Sequence, residues 1–414
     1  MFIPYLISPE SSWVNGVPEG IAAVTLLDKF AAVAAMREEL AACGHDPTQV
    51  VIEEIVSATE GVVEGRPTIL AGTNNYLGLT FDPACIEAGR QALQTQGSGT
   101  TGSRMANGSF AAHLALEREF AEFYEMPFGM VFSTGYAANL GTLTALLAAG
   151  DVVLLDGDAH ASLYDGCRMS GAEIFRFKHN DPDSLEKRLR RLGEKAGNCL
   201  IVVEGLYSVL GDCAPLREMV DLKERYGALI LVDEAHSLGA YGQLGRGVAE
   251  EAGVLDRVDF VVGTFSKSLG AMGGFCVSPH VELKLLRYVS RPFIFTASSS
   301  PSIIATTREA LRQLRSRPEL RHRLWRNARQ LHGGLQASGF RTGREVSPVI
   351  AITIGEKHQA LDFWHRLLVN GVYVNLMVPP ASPDSNSYLR CSVSAAHTPE
   401  QIETIIQTFR KLKS

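Results

Sequence analysis

Two charged residues in the middle of the chain each follow an apolar segment of strand length. Asp233 ends the segment ALILVD, and Lys267 comes 34 residues later, after DFVVGT, within the sequence TFSKSLG. A carboxylate at the carboxyl end of a buried parallel strand lies where open α/β sheets bind their ligands. A lysine among small and hydroxyl side chains is poorly explained as a solvated charge, and desolvation would lower its pKa and make its amine nucleophilic. We therefore predict a site in which an amine and a carboxylate act on one ligand.

This combination meets the minimum requirement of pyridoxal phosphate (PLP) chemistry. A lysine forms a Schiff base with the PLP aldehyde, and an aspartate keeps the ring nitrogen protonated. The phosphate group needs donors from small-residue turns and helix N-termini. Gly135 and Tyr136 lie in such a turn after the segment MVFS, and Thr264 and Ser266 add hydroxyls. His160, just past the segment DVVLLD, is placed to stack on the PLP ring.

Taken one at a time, these residues also allow plainer roles. Asp233 alone could be a capping or ion-paired carboxylate, and His160 alone could be a surface histidine. Two short motifs are misleading. The sequence GSGTTG at 97–102 fits a dinucleotide-binding pattern, but a helical segment precedes it, whereas that motif follows a strand. The sequence DEAH at 233–236 is the spelling of a helicase motif, but the chain has no phosphate-binding GxxxxGK[ST] sequence.

Helices alternate with short apolar strands from residue 110 to about 290. Strands that are almost continuously apolar and separated by helices are typical of a largely parallel sheet buried on both faces. The predicted strands here are 130–133, 151–156, 173–177, 199–205, 228–234, 259–264 and 273–278, and the helices between them include 138–149, 182–192 and 216–226. Farther on, we predict strands at 349–354, 372–377 and 388–393 and a last helix at 399–412.

The predicted fold class is therefore α/β, with a large domain built on a mostly parallel central sheet and a smaller C-terminal α+β domain. We predict three parts. They are an N-terminal extension, helix and strand segment (1–75), the large ligand-binding α/β domain (76–300) and the C-terminal α+β domain (301–414).

The composition argues against several classes of protein. With 414 residues, of which 46% are hydrophobic and 20% charged, the chain is too apolar to be disordered. A net charge of −6 argues against a nucleic-acid partner, and no apolar run approaches the length of a membrane span. The seven cysteines form no CxxC pair, so we predict neither a metal site nor a disulfide framework, and we expect thiols in a reducing cytoplasm.

Five motifs are similar, in order and spacing, to those of the α-oxoamine synthases: FSTGYAANL, DGDAHASLYDG, EGLYSVLGD, LVDEAHSLGAYGQLGRG and GTFSKSLGAMGGF. These PLP-dependent transferases of fold type I join an amino acid to an acyl thioester with loss of CO2. The resemblance covers about residues 26–412. It implies fold type I, PLP as cofactor, and a homodimer with active sites at the subunit interface.

The resemblance implies a role for each residue at a matching position. Lys267 is the Schiff-base lysine, Asp233 is the partner of the ring nitrogen, and His160 is the stacking histidine, and these three form the implied catalytic set. The other implied PLP contacts are Gly135, Tyr136, His236 on the phenolic oxygen, Thr264, Ser266 and, across the dimer interface, Thr296. The implied substrate contacts are Asn75, Tyr76, Ser103 and Arg390, with Arg390 holding the substrate carboxylate.

Local sequences separate the members of the family. The segments GSGTTGSRMANGSF, TNNYLGLTFDP and SRPFIFTAS are most similar to the members that use L-serine. The implied reaction joins L-serine to a long-chain acyl thioester, palmitoyl-CoA, and gives 3-oxosphinganine, CO2 and CoA, the first step of sphingolipid biosynthesis. A peripheral membrane contact for product release is a further hypothesis.

Three alternatives stay open at this point. The enzyme could use glycine or alanine, or an acyl-carrier-protein donor. A catalytically silent subunit is a third alternative, although such a subunit would be expected to lack Lys267. One departure from the family pattern concerns the substrate carboxylate, because soluble relatives usually carry an arginine where this chain has Val378.

Overall fold

Helices and strands alternate along the chain in the structure, a computed structural model that describes residues 25–41, 46–379 and 381–413. The strands are β1 (Ile52–Ile55), β2 (Glu60–Val63), β3 (Arg66–Leu70), β4 (Phe128–Phe132), β5 (Val152–Asp156), β6 (Glu173–Phe177), β7 (Cys199–Glu204), β8 (Leu229–Asp233), β9 (Phe260–Thr264), β10 (Gly274–Ser278), β11 (Arg341–Thr342), β12 (Val349–Gly355), β13 (Val372–Tyr373), β14 (Asn375–Met377) and β15 (Ser387–Ser392). The predicted extension, residues 1 to about 22, lies outside the described residues.

Several α-helices begin where the sequence provides a cap. The helices are α1 (Ala31–Ala41), α2 (Pro83–Gln96), α3 (Ala111–Phe123), α4 (Gly135–Leu146), α5 (Ala161–Ser170), α6 (Pro182–Leu192), α7 (Leu216–Tyr226), α8 (Val248–Glu251), α9 (Leu283–Leu286), α10 (Arg291–Ile294), α11 (Pro301–Ser316), α12 (Pro318–Ala337), α13 (Lys357–Val369) and α14 (Pro399–Lys413). In α2, α6 and α11, a proline at the first position follows a residue whose side chain accepts from a backbone N–H: Asp82, Asp181 and Ser300.

The central sheet has seven strands in the order β4-β10-β9-β8-β7-β5-β6. The five strands from β5 to β9 are parallel, and β10 is antiparallel to both β4 and β9. Every residue of β5, β7, β9 and β10 is buried, which explains why these segments are almost continuously apolar. The prediction of a mostly parallel central sheet is confirmed.

The predicted strand at 372–377 is wrong as a single element. The structure divides it into β13, which pairs with β3, and β14, which pairs with β15 in a different sheet. Tyr373 lies opposite Leu70, whereas Asn375 lies opposite Arg390, so the chain changes sheets at Val374. An apolar run carries no signal for such a change, because both halves are buried against their own sheet. The predicted helices 182–192 and 216–226 agree with α6 and α7 to the residue.

The chain forms two compact units, which differ in sheet architecture. One comprises residues 74–326 and 394–396 and contains the seven-stranded sheet. The other comprises the described parts of 1–73, 327–393 and 397–414 and contains two four-stranded sheets, β1-β2-β3-β13 and β11-β12-β15-β14. The second of these sheets is antiparallel throughout, which gives this unit its α+β character. The three-part division at residues 75 and 300 stays a prediction.

The segment that carries Lys267 is anchored by an aromatic stack in the core. Phe265 is fully buried, and its ring lies 5.1 Å from that of Phe120, which stacks in turn on Phe275 at 4.3 Å. Gly273 closes the loop after Lys267 with φ of +137°, and a Cβ there would lie 2.4 Å from the Phe265 ring. Only glycine permits this close approach at that backbone angle. The lysine therefore follows a rigidly packed residue.

Two further findings bear on the sequence-based expectations. No helix in the part of the chain that the structure describes combines the length and apolar character that crossing a bilayer requires. Five described cysteines are buried, namely Cys85, Cys167, Cys199, Cys276 and Cys391. Burial raises the pKa of each to about 12, so they remain protonated thiols near neutral pH. Cys43 lies outside the described residues.

Candidate active site

A cavity of about 310 Å³ opens at the carboxyl ends of β5, β7, β8 and β9, all in the unit that contains the seven-stranded sheet. This is the edge at which parallel sheets bind ligands. Most of the residues predicted to contact PLP line it: Gly135, Tyr136, His160, Asp233, His236, Thr264, Ser266 and Lys267. Four other residues complete the polar lining, namely Thr134, Asn139, Ser162 and Glu204.

Asp233 is the last residue of β8 and is 5% exposed. Its Oδ2 accepts a hydrogen bond from Nδ2 of Asn139 at 2.7 Å, and its Oδ1 accepts one from the backbone N–H of Ala235 at 2.8 Å. These two contacts fix the plane of the carboxylate at the wall of the cavity. The carboxylate is thus held ready to pair with a cationic or N–H-bearing ligand group.

Hydroxyl groups and a helix N-terminus form one end of the cavity. Thr264 Oγ1 lies 2.9 Å from Ser266 Oγ and donates to the backbone oxygen of Gly273 at 3.0 Å. Opposite them, α4 begins at Gly135, and Thr134 caps it by accepting from a backbone N–H at 2.9 Å. A Cβ on Gly135 would lie 2.8 Å from Thr264 Oγ1, so glycine lets the helix end approach the hydroxyls. Such a combination favours a phosphate group.

Tyr136, the next residue of α4, also lines the cavity. Its hydroxyl donates to a carboxylate oxygen of Asp165, and its side chain is 43% exposed. Partial burial, followed by the contact with Asp165, raises the pKa of Tyr136 to about 12. The phenol therefore stays neutral. It can donate to a ligand only when its hydrogen bond to Asp165 is broken.

His160 caps the N-terminus of α5 and lies at the cavity wall. Its Nδ1 is 2.7 Å from Ser162 Oγ, and its backbone N–H donates to Oε1 of Glu204 at 2.6 Å. Burial lowers the pKa of the imidazole, opposed by the charge of Asp233 and assisted by that of Lys267. A neutral ring at neutral pH follows, which suits stacking on a flat ligand.

Glu204 is the last residue of β7 and is 3% exposed. Burial, followed by the charge of Asp233, raises the pKa of its carboxyl well above the ordinary range. It thus accepts the backbone hydrogen bond of His160 without adding a full second negative charge beside Asp233.

His236 is held by Tyr76. The Tyr76 hydroxyl lies 2.7 Å from Nδ1 of His236, and the Tyr76 side chain is fully buried. The resemblance implied that Tyr76 contacts the substrate, and that role stays a prediction. The contact found in the structure gives Tyr76 the task of orienting the imidazole at the cavity wall.

The remaining predicted residues are not among those that line this cavity. Thr296 lines a separate small cavity together with Arg104 and His113. Ser103 lies in the turn 103–108, where its backbone oxygen accepts from Gly108 N–H at 2.8 Å. Asn75 is buried and donates to Thr80 Oγ1 at 2.7 Å.

Arg390 and Val378 belong to the other compact unit. Arg390 lies on β15, is 4% exposed, and donates from Nη1 to Oδ1 of Asn375 on the neighbouring β14 at 3.2 Å. Val378 follows β14 and is buried. The departure noted in the sequence is therefore an apolar side chain at a buried position.

Sequence reasoning missed Asn139, Ser162 and Glu204, three of the four other polar residues that line the cavity. Asn139 Nδ2 donates both to Asp233 and to Ser162 Oγ, at 2.7 and 2.9 Å, and Ser162 in turn contacts His160. This chain of contacts links Asp233 to His160. Asn139 lies within the motif FSTGYAANL and Glu204 begins the motif EGLYSVLGD, but neither was singled out as a site residue. Glu204 could have been found, because a carboxylate ending an apolar parallel strand is the same signal that identified Asp233.

A second cluster of charges lies beyond the cavity wall. His179, two residues past β6, contacts Oδ1 of Asp156 through Nδ1 and Oδ2 of Asp212 through Nε2, both at 2.8 Å. A third carboxylate, that of Asp158, lies 3.9 Å away. Although burial opposes it, these carboxylates raise the pKa of His179 to about 10. Because both ring nitrogens face carboxylates, the ring is a doubly protonated imidazolium.

We expect this imidazolium to make stability depend on pH above neutrality. The folded-state pKa of about 10 exceeds the ordinary value of 6.5, so the stabilisation is complete below pH 6.5 and is lost as the pH rises through about 10. The free energy involved is on the order of 5 kcal/mol. The measurement is urea unfolding of the wild type and His179→Gln at pH 6.5, 8 and 10.5. The difference in the free energy of unfolding between wild type and variant should shrink towards zero at pH 10.5. A difference that stays constant with pH would contradict the assignment of a charged His179.

Comparisons with known proteins agree with one another. The family model for class I and II aminotransferases matches residues 66–409. The chain is 54% identical to a serine palmitoyltransferase of Caulobacter vibrioides over 387 residues, which are 94% of this chain and 96% of that protein. It is 38% identical to an 8-amino-7-oxononanoate synthase of Lysinibacillus sphaericus, over 86% of this chain and 91% of that protein. A solved structure of SPT with a PLP internal aldimine superposes with a TM-score of 0.92 at 49% identity, covering 94% of this chain and 98% of that one.

Proposed function

Because this chain belongs to the class I and II aminotransferase family and, within it, to the α-oxoamine synthases, we propose that it condenses L-serine with a long-chain acyl thioester, palmitoyl-CoA. The products are 3-oxosphinganine, CO2 and CoA, and the reaction starts sphingolipid biosynthesis. The observation that carries the proposal is the placement of Lys267 and Asp233 in one cavity beside a hydroxyl-lined helix end, in a chain that aligns with serine palmitoyltransferases over nearly its whole length.

PLP is the cofactor, and the donor set of the cavity fits it. The cavity offers an amine for an aldehyde, a carboxylate for a ring nitrogen, a flat imidazole for a ring face, and hydroxyls with a helix N-terminus for a phosphate. When bound, PLP supplies an electron-withdrawing ring that stabilises negative charge on the amino-acid carbon. The expected fold type I agrees with the similarity to the SPT structure.

Lys267 has two tasks in the proposed reaction. Its Nζ would hold PLP, whose aldehyde accepts an amine, and the amine in its free form would take the proton from the serine Cα. The same Nζ later returns a proton to the product. Phe265, packed in the aromatic stack, holds the backbone just before the lysine, and the Thr264 and Ser266 hydroxyls line the same cavity.

Asp233 and the two histidines position the ring. Asp233, fixed by Asn139, holds the proton at the ring nitrogen so that the ring stays cationic. His160 covers one face, and its lowered pKa keeps it neutral there. His236, oriented by the contact of its Nδ1 with Tyr76, serves the phenolic oxygen.

The phosphate end of the proposal involves a second copy of the chain. Within one protomer, the backbone N–H groups at Gly135 and Tyr136 and the hydroxyls of Thr264 and Ser266 would hold the phosphate. Thr296 lines a different cavity and follows Phe295, which is 74% exposed, so we assign Thr296 to the phosphate of a partner protomer. We expect an obligate homodimer by analytical ultracentrifugation at assay concentration. A fully active monomer would remove this part of the proposal.

Substrate contacts are assigned to four residues. Arg390 holds the serine carboxylate, and Asn75, Tyr76 and Ser103 line the route of the acyl donor. We also assign the enzyme to the cytoplasm, a reducing compartment in which thiols stay unpaired. The product is a long-chain amine, so its release calls for a peripheral membrane contact.

The function is tested by mass spectrometry of products. The protein is incubated with isotopically labelled serine, glycine or alanine and with a panel of acyl-CoA and acyl-carrier-protein donors of different chain lengths. We expect label in a 3-oxosphinganine only with serine, together with one equivalent of CO2. Product from glycine or alanine in preference to serine would identify another α-oxoamine synthase. Absence of any product with Lys267 intact would contradict the proposed catalysis.

Replacing Arg390 by lysine should weaken the binding of serine. Lysine keeps the positive charge but loses the planar pair of donors that binds both carboxylate oxygens. We expect the dissociation constant for L-serine, followed by the serine-induced change in cofactor absorbance, to rise by about tenfold. Arg341→Lys, in the same antiparallel sheet but at an exposed position, is the matched control. An unchanged dissociation constant in Arg390→Lys would mean that another group holds the carboxylate.

A further inference from the structure

The His179 cluster lies where three neighbouring strands end. In the sheet, β6, β5 and β7 are adjacent and parallel, and their carboxyl ends are Phe177, Asp156 and Glu204. The segment after β5 leads within four residues to His160, and the segment after β7 contains Tyr207 and Asp212. His160 in the first segment and Glu204, from which the second segment starts, line the cavity, and side-chain contacts connect the two segments.

His179 connects the two segments. One ring nitrogen contacts Asp156, the last residue of β5, and the other contacts Asp212, in the segment after β7, both at 2.8 Å. The edge of the ring lies on Tyr207 with centroids 4.4 Å apart and planes at 86°. The neighbouring Asn180 reinforces the bridge by donating from its backbone to Asp156 and from Nδ2 to Asp212, at 3.0 Å each.

Both aspartates also make a hydrogen bond with the backbone of their own segment, Asp156 through its carboxylate and Asp212 through its backbone oxygen. Asp156 is fully buried, and its Oδ1 accepts from the backbone N–H of Asp158, which sets the turn that leads to His160. The backbone oxygen of Asp212 accepts from Tyr207 N–H at 2.9 Å, which closes the other segment. Without a cation between them, the buried carboxylate of Asp156 and that of Asp212 would repel each other. We expect the two segments to separate as a result.

We propose that His179 is a positioning residue of the active site: it clamps the segment 156–160 to the segment 204–213 and thereby sets the position of His160. This inference rests on the proposed function only in assigning His160 a role at the cofactor. The final link is the hydrogen bond from the His160 backbone N–H to Glu204 Oε1 at 2.6 Å, because it needs both segments in register. A shift of either segment moves the imidazole that covers the cofactor ring.

The test is a double-mutant cycle between His179→Gln and His160→Ala, read out in two ways. The first is the affinity of the apoprotein for PLP, measured by absorbance titration. The second is kcat/KM for the condensation. If His179 acts through His160, His179→Gln should weaken PLP binding and lower kcat/KM by roughly tenfold in the wild-type background, but by less than about twofold when His160 is already alanine.

The matched control is His280→Gln. His280 also contacts a buried aspartate, Asp259, at 3.0 Å, but at the opposite edge of the same sheet. It should lower stability without changing PLP affinity. Hydrogen exchange of residues 156–163 adds a readout independent of cofactor and substrate, and it should speed up in His179→Gln only.

Two outcomes would overturn the proposal. If His179→Gln had equal effects in both backgrounds, His179 would have a general structural role only. If His179→Gln left the affinity for PLP unchanged, His179 would have no positioning role at the active site. Failure of the wild type to condense serine would contradict the proposed function alone, because PLP affinity and hydrogen exchange still decide the role of His179. Should His179→Gln fail to fold, Asp212→Asn breaks the same bridge at its more exposed end and takes its place in the cycle.

Discussion

Lys267→Ala is expected to abolish condensation and to remove every covalent attachment of cofactor to the protein. A general base contributes about 10² to 10⁴-fold to a rate, and the proposed reaction uses this amine in addition for covalent anchoring. We therefore expect kcat to fall by about 10³-fold or more. In the wild type, treatment with borohydride should add the mass of reduced cofactor to the peptide that contains residue 267, and in the variant no peptide should carry it.

The matched control is Lys187→Ala, at an exposed position on α6 outside the cavity. It should retain full activity and the same labelled peptide as the wild type. Reducible cofactor attached elsewhere in Lys267→Ala would show that another lysine serves as the anchor. Because Phe265 and Ser268 on either side are buried, circular dichroism of the variant should confirm that the loop and the sheet are intact.

The location of this chemistry could be predicted because strand ends are visible in the sequence. The segments before Asp233 and Lys267 are mostly apolar, since all of β9 and all of β8 except Leu229 are buried in the sheet. Parallel strands direct their carboxyl ends to one edge, so two polar residues at two such ends must be neighbours. The cavity that contains both follows from this rule.

The contacts that orient these residues could not be predicted in the same way. Asn139 reaches Asp233 across 94 residues of chain, and Tyr76 reaches His236 across 160. Each depends on how a helix or loop packs over the sheet, which periodicity does not encode. The division of 372–377 between two sheets failed for a related reason, because strand pairing depends on partners far away in the sequence.

The resemblance to a family supplied what spacing could not. His236, Thr296 and Arg390 have no local signal for a ligand, and only the match to ordered motifs singled them out. Of these, His236 lies in the cavity with Lys267, whereas Thr296 and Arg390 do not line it among the described residues. Their roles therefore stay proposals.

Asp233→Asn should retain the cofactor but lose most turnover. The amide replaces a carboxylate that, in the proposed reaction, keeps the ring nitrogen of PLP protonated. Loss of one charge-assisted contact costs about 1.5–3 kcal/mol, or roughly 10- to 150-fold in rate, and a ring that is no longer cationic adds to this. The measurements are kcat with serine and palmitoyl-CoA, and the visible absorbance of the bound cofactor.

Two further variants separate charge from shape. Asp233→Glu keeps the carboxylate on a side chain longer by one methylene and should retain more activity than Asp233→Asn. The longer side chain changes the hydrogen bond that Asn139 donates to Asp233 at 2.7 Å, so we do not expect full activity. Asp259→Asn removes an equally buried carboxylate of the same compact unit. Asp259 lies outside the cavity lining, and its Oδ2 pairs with Lys223 Nζ at 2.9 Å. The substitution should destabilise the fold, since a buried cation loses its partner, but leave kcat near that of the wild type. Near-normal turnover in Asp233→Asn, or an equal loss in Asp259→Asn, would show that the charge of Asp233 does not drive the reaction.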